Sequence, residues 1–120
     1  MAKKVLVVDD SPTDLQMLSS LLKKQGYEVT TAVDGEDALD KAAATHPPLV
    51  LLDIILPKKN GYQVCRQLKT QPETTGIKVI LVSSKNQESD KFWGMKQGAD
   101  DYIAKPYRDE DLLAAVAKQL

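Results

Sequence analysis

Acidic, hydroxyl and amine side chains stand at the ends of short apolar segments of this sequence. Carboxylates gathered at one point suit a hard divalent cation such as Mg²⁺, which takes oxygen ligands and retains several waters. A carboxylate can also attack phosphorus as a nucleophile and form an acyl phosphate. A metal and a lysine would then neutralise charge on the transferred group, mainly through position and electrostatics. The side chains concerned are Asp9, Asp10, Asp53, Ser83 and Lys105.

These side chains converge only if the segments that carry them are strands of one sheet. Short apolar runs rich in β-branched or aliphatic residues are typical of buried strands, and helix signals fill the intervals between them. Such alternation predicts an α/β fold with a parallel sheet and right-handed crossovers. Five strands fit the doubly wound order 2-1-3-4-5, whose switch point lies between strands one and three. The predicted strands are residues 5–8, 28–32, 49–52, 78–82 and 101–104.

Local signals delimit the helices between these strands. The first helix is the clearest, with Ser11 as its predicted N-cap, a proline at its first position and Gly26 placed to end it. In the fourth helix, Phe92 and Met95 are three residues apart and are expected to face the core. That phase of the helix would leave Trp93 on a flank.

The composition limits the classes of function. We expect the 120 residues to form one domain, residues 1–120, with one core. Sixteen Lys and Arg against seventeen Asp and Glu leave a formal net charge of -1, so bulk attraction favours neither nucleic acid nor an anionic membrane as a partner. The single cysteine, Cys65, excludes an internal disulfide, and no apolar stretch suits a signal peptide or a membrane span. These features predict a soluble cytoplasmic protein.

Four segments combine into a specific pattern, at residues 7–11, 52–61, 82–84 and 98–106. Together they closely resemble the receiver domain of two-component response regulators, in particular the single-domain, chemotaxis-like type. The resemblance covers the whole chain and implies the flavodoxin-like (βα)5 receiver fold. Residues 91–98 are more weakly similar to regulators of type IV pilus chemosensory systems, which serve twitching motility or phototaxis.

The resemblance implies a phosphoacceptor role for Asp53. This residue would take a phosphoryl group from the phosphohistidine of a histidine kinase. Mg²⁺ would be bound by Asp10, Asp53 and the backbone carbonyl of Ile55, with Asp9 acting through water. The protein would therefore be a signalling domain and not an enzyme, apart from assisting its own phosphorylation and dephosphorylation.

The same resemblance implies how phosphorylation would be transmitted. Ser83 would bind a phosphoryl oxygen, Lys105 would pair with the phosphoryl group, and the peptide bond from Lys105 to Pro106 would be cis. As the new charge draws Ser83 toward it, Tyr102 would turn inward, and the surface of the fourth helix, fifth strand and fifth helix would change shape for an output protein. Without the resemblance, Tyr102 is better explained as half-buried packing.

Some positions are individual to this sequence. Ile55 is apolar where several relatives place a polar side chain that helps the hydrolytic water, and Lys85 is cationic. Together they predict an altered, slow loss of phosphate. Trp93 has two explanations, as simple groove filling or as an anchor for a partner, because Trp is enriched at binding hot spots.

The leading prediction is a stand-alone phosphorylation switch, a monomer or weak dimer, that acts through protein contact. A phosphate sink or shuttle in a phosphorelay with several regulators would have the same site, and a receiver fragment of a longer regulator is also compatible with the sequence. An enzyme is disfavoured. A nucleotide or flavin binder needs a glycine-rich or hydroxyl-rich loop after strand one, and a haloacid-dehalogenase-like phosphatase needs a second acid where Ile55 stands.

Overall fold

In the computed structural model, which describes residues 3–120, five parallel strands form one sheet with helices on both faces. The strand order is β2-β1-β3-β4-β5, so the predicted fold class and strand order are confirmed. The elements are β1 (Lys4–Val8), α1 (Pro12–Lys24), β2 (Glu28–Ala32), α2 (Gly35–Thr45), β3 (Leu49–Leu52), α3 (Gly61–Thr70), β4 (Lys78–Ser83), α4 (Glu88–Lys96), β5 (Asp101–Ala104) and α5 (Asp109–Gln119). Within residues 3–120, no helix combines the length and the apolar composition that a membrane crossing requires.

The central strands β1, β3 and β4 are apolar on both faces because helices cover both faces. Successive side chains of a strand point to opposite faces, so one apolar run supplies two clusters. One cluster joins the sheet to α1 and α5 through Leu18, Leu22, Leu112 and Val116. The other joins it to α2 and α3, with Ala38, Ala42, Val64, Cys65 and Leu68 among its buried members.

The predicted signals at the ends of α1 are present. The Ser11 hydroxyl accepts a hydrogen bond from the Asp14 N–H at 3.3 Å, and the helix begins with proline. Gly26 follows the helix with a φ of 90°, a conformation that favours glycine because it has no Cβ. These two signals fix where α1 begins, shortly after the end of β1, and where it ends.

The packing of α4 differs from the prediction. Phe92 and Met95 do not face the core, since 63% and 48% of their surfaces are exposed. Gly94 faces the sheet instead, and a Cβ there would lie 2.7 Å from Leu81 Cδ1 and 3.2 Å from Tyr102 Cδ2. The prediction was wrong because the helix approaches the sheet through its smallest residue, which contributes nothing to an apolar pattern.

Candidate functional site

Three polar residues stand one position beyond the end of a strand, and their backbones continue the pairing of the sheet. The Asp9 N–H donates to the carbonyl of the last residue of β2 at 3.1 Å. The Asp53 N–H donates to the last carbonyl of β1 at 3.0 Å, and the Lys105 N–H donates to the last carbonyl of β4 at 2.8 Å. The rigid sheet therefore fixes the Cα positions of all three residues at one edge.

The Lys105 ammonium is the centre of the site. Its Nζ lies 2.8 Å from Asp9 Oδ2, 3.1 Å from Asp14 Oδ2 and 3.2 Å from Asp53 Oδ2. Burial disfavours the charged ammonium, but the hydrogen bonds to Asp9 and Asp14 and the charge of Asp53 outweigh burial and raise the pKa of Lys105 above its ordinary value. Lys105 is therefore a fixed positive charge among carboxylates.

The two oxygens of Asp53 have different surroundings. Oδ1 accepts hydrogen bonds from the N–H groups of Ile54 and Ile55, at 2.6 and 3.3 Å, whereas Oδ2 faces Lys105. The loop that follows Asp53 is anchored to the start of α3, because the Gly61 N–H donates a hydrogen bond to the Ile54 carbonyl at 2.8 Å. A Cβ at Gly61 would overlap the Asp53 carbonyl oxygen, so this approach of α3 to β3 requires glycine. The Asp53 side chain is thus held in one orientation.

Three of the carboxylates are close enough to share a cation. Asp9, Asp10 and Asp53 each offer an oxygen, and these oxygens all lie within 4.8 Å of one another. Asp9 and Asp53 are buried, while Asp10 is exposed and opens the cluster to solvent. Burial raises the pKa of the Asp9 carboxyl, against the lowering by its hydrogen bonds to Lys105 and the Ser11 N–H. A set of hard oxygen donors at this spacing fits Mg²⁺.

Ser83 and Tyr102 meet at Lys85 and not at the carboxylates. Ser83 is fully buried at the end of β4, and its Oγ accepts a hydrogen bond from the Lys85 N–H at 3.4 Å. The Tyr102 hydroxyl donates to the Lys85 carbonyl at 2.6 Å. In the part of the chain that the structure describes, the Ser83 hydroxyl makes no hydrogen bond to Asp53 or Lys105. The backbone of Lys85 therefore connects these two side chains.

Asp14 is the site residue that reasoning from the sequence missed. It lies in the first turn of α1, where an acid is ordinarily explained by its favourable charge at a helix N-terminus. The available signal was its place in the first turn of the helix that directly follows β1. The peptide bond from Lys105 to Pro106 is cis, as the resemblance implies.

The family model of the response regulator receiver domain matches residues 5–117. Protein PilH of Pseudomonas aeruginosa is 45% identical over 113 residues, which cover 94% of this chain and 93% of PilH.

Two solved structures extend the comparison. The chemotaxis protein CheY4 of Vibrio cholerae has a TM-score of 0.92 at 31% identity, with 100% of both chains covered. The receiver domain of a Pseudomonas aeruginosa sensor histidine kinase has a TM-score of 0.91 at 25% identity, covering 99% of this chain and 98% of that one. That domain has a magnesium ion coordinated in its active site cleft.

Proposed function

The chain belongs to the response regulator receiver domain family, and on that basis we propose that it is a stand-alone switch phosphorylated on Asp53 by a histidine kinase. The observation that carries the proposal is the setting of this one carboxylate. Two backbone N–H groups hold one of its oxygens, and the other lies 3.2 Å from the Lys105 ammonium. A carboxylate that accepts an anionic phosphoryl group needs this combination, because a fixed orientation aligns the attack and a nearby positive charge offsets the repulsion between the two anions.

In the proposed transfer, Asp53 Oδ2 attacks the phosphorus of a phosphohistidine. The new O–P bond forms as the P–N bond breaks, and the electron pair of that bond stays on the imidazole nitrogen. Lys105 then pairs with a phosphoryl oxygen. Asp10, Asp53 and the Ile55 carbonyl would hold Mg²⁺, with Asp9 acting through water, and the bound ion would neutralise charge on the transferred group. The oxygen cluster and the magnesium ion in the Pseudomonas receiver domain support this assignment.

We propose that the signal leaves through Ser83 and Tyr102. A Ser83 hydroxyl drawn toward the phosphoryl group gives up its bond to the Lys85 N–H, and the Lys85 carbonyl is the acceptor for the Tyr102 hydroxyl. The Tyr102 ring in turn packs at Gly94 of α4. The output surface would then be α4, β5 and α5, changed by a local charge event.

The output partner would be a protein in the control of motility or taxis. The match to PilH and the similarity to a chemotaxis protein support this assignment. A switch that binds an output protein is favoured over a phosphate sink because α4 exposes large apolar side chains. Among them is Trp93, which is 53% exposed. A pull-down with phosphorylated and unphosphorylated protein separates the two, since a sink has no partner that distinguishes them.

Incubation with acetyl phosphate or phosphoramidate and Mg²⁺, followed by intact-mass measurement, tests the assignment of Asp53. We expect a phosphate adduct that is absent from Asp53→Ala and absent without Mg²⁺. Asp40→Ala, which removes an exposed carboxylate from α2, is the matched control and retains the adduct. A wild-type protein without an adduct, or an adduct that persists in Asp53→Ala, would contradict the proposal.

A further inference from the structure

The Lys105 ammonium has three N–H donors and three carboxylate acceptors within 3.2 Å. Two of these acceptors, Asp9 and Asp53, belong to the cluster assigned to metal and phosphoryl binding. The third, Asp14, lies outside that cluster, on the first turn of α1. One donor of the ammonium is therefore directed to a carboxylate that has no part in the proposed transfer.

The position of Asp14 is set by the start of α1. Its backbone N–H is bonded to the Ser11 hydroxyl at 3.3 Å, so the N-cap fixes the point from which the side chain reaches Lys105. The Asp14 side chain is 46% exposed, against 6% for Asp9 and 11% for Asp53. Solvent partly screens the pair of Asp14 with Lys105, so its strength lies near that of a surface ion pair.

We infer that Asp14 is a positioning residue that competes with the phosphoryl group for Lys105 and thereby restrains modification of Asp53. The inference rests on the proposed function of Asp53. An anion on Asp53 is stabilised by the part of the ammonium charge that is not already neutralised. A carboxylate at 3.1 Å neutralises some of that charge and holds the ammonium toward α1. Removing the charge of Asp14 should therefore strengthen the hold of Lys105 on an anion bound to Asp53.

The experiment measures binding of beryllofluoride, a tetrahedral mimic of a carboxylate-bound phosphoryl group, at saturating Mg²⁺. We expect Asp14→Asn to lower the Kd about two- to fivefold, the range that a half-exposed ion pair supports. The rate of phosphoryl uptake from acetyl phosphate should also be higher in Asp14→Asn than in the wild-type protein. Asp109→Asn is the matched control, because Asp109 lines one groove together with Asp14 and Lys105 and, in residues 3–120, has no ion pair with Lys105.

Two further readouts separate competition for Lys105 from other effects. The gain should become smaller at high salt but should not vanish, because a contact at 3.1 Å is screened less than a long-range field. The affinity for Mg²⁺ alone should not rise, because Asp14 is not in the metal cluster and its removal leaves more of the Lys105 charge facing the carboxylates of that cluster. A merely structural role of Asp14 would weaken binding in the variant and would not tighten it.

Unchanged or weaker binding in Asp14→Asn overturns the inference, and so does an equal gain in Asp109→Asn. If the wild-type protein binds beryllofluoride and acquires a phosphate adduct while Asp14→Asn does not differ from it, the inference alone fails. If the wild-type protein does neither, the proposed function fails and the inference fails with it.

Discussion

The charge of Asp53 is compensated as that of Asp9 is, except that two backbone N–H groups and not one donate to Oδ1. Backbone N–H groups compensate Oδ1, and the Lys105 ammonium compensates Oδ2. The second compensation is shared with Asp9 and Asp14, so it is incomplete. A further positive charge is needed when an anionic phosphoryl donor arrives, which is the physical reason to expect a Mg²⁺ requirement.

We expect the side chain of Ile55 to influence how long a phosphoryl group stays on Asp53. Ile55 is 55% exposed and its side chain is apolar, so it offers no hydrogen bond to a water near Asp53. The Lys85 ammonium lies 3.9 Å from an Asp90 carboxylate oxygen, and that pairing draws it toward α4. We expect Ile55→Gln to shorten the phosphate lifetime about five- to tenfold, the effect of one additional hydrogen bond that orients the water. Phosphate release after removal of the donor measures the lifetime.

Ile55→Leu is the control for that measurement, because it keeps an apolar side chain of the same size and should keep the lifetime of the wild-type protein. Equal lifetimes in Ile55→Gln and wild type would refute the role given to Ile55. A wild-type lifetime as short as that of fast chemotaxis regulators would refute the prediction that Asp53 loses its phosphoryl group slowly.

Most residues of the candidate site could be predicted from the sequence, because their place directly after a strand brings them together. Asp9, Asp53 and Lys105 each stand directly after an apolar strand, and parallel strands bring such positions to one edge. Asp14 was not predictable in this way. Its contact with Lys105 depends on how α1 packs against the sheet, and an acid in the first turn of a helix has a sufficient local explanation.

At the scale of elements, the first residue of α3, Gly61, packs directly against the backbone of Asp53 and Ile54. A Cβ at Gly61 would overlap the Asp53 carbonyl oxygen and lie 2.7 Å from Ile54 Cα, and both are backbone atoms that cannot rotate away. We expect Gly61→Ala to lower the free energy of unfolding by about 1–3 kcal/mol, despite the better helix propensity of Ala. Urea denaturation measures this change, and the rate of phosphate uptake should fall with it because the Asp53 loop must shift.

Gly76→Ala is the matched control for this substitution. A Cβ at Gly76 meets no atom within 4 Å, so the variant should be neutral or slightly more stable than wild type. If Gly61→Ala were as stable and as readily phosphorylated as Gly76→Ala, the close approach of α3 to β3 would not constrain the site.

The helix α4 shows the limit of prediction for an element. Its orientation could not be predicted from the chain, because Phe92 and Met95 have the spacing of a buried stripe. The structure places Gly94 against Leu81 and Tyr102 instead. The two apolar side chains are left on the exposed surface, where the Lys96 ammonium lies 5.4 Å from the centre of the Phe92 ring.

At the scale of the whole molecule, the alternation of elements was enough to predict the architecture. Right-handed crossovers and buried parallel strands leave few arrangements of five βα units, and the observed order β2-β1-β3-β4-β5 is the predicted one. Alternation carries no information on how the sheet edge would be coupled to α4 in the proposed switch. That depends on individual contacts, among them those of Ser83 and Tyr102 with the backbone of Lys85.

Trp93 provides a direct measurement of that communication, because it is the only tryptophan of the chain and lies exposed on α4. If modification of Asp53 moves Tyr102 and with it α4, then beryllofluoride with Mg²⁺ should change the fluorescence of Trp93. Asp53→Ala should show no change. Tyr102→Phe, which removes the bond to the Lys85 carbonyl but keeps the ring, should show a smaller change at equal occupancy. Beryllofluoride binding that leaves Trp93 fluorescence unaltered would mean that the site and α4 are not coupled, and the output surface would have to lie elsewhere on the molecule.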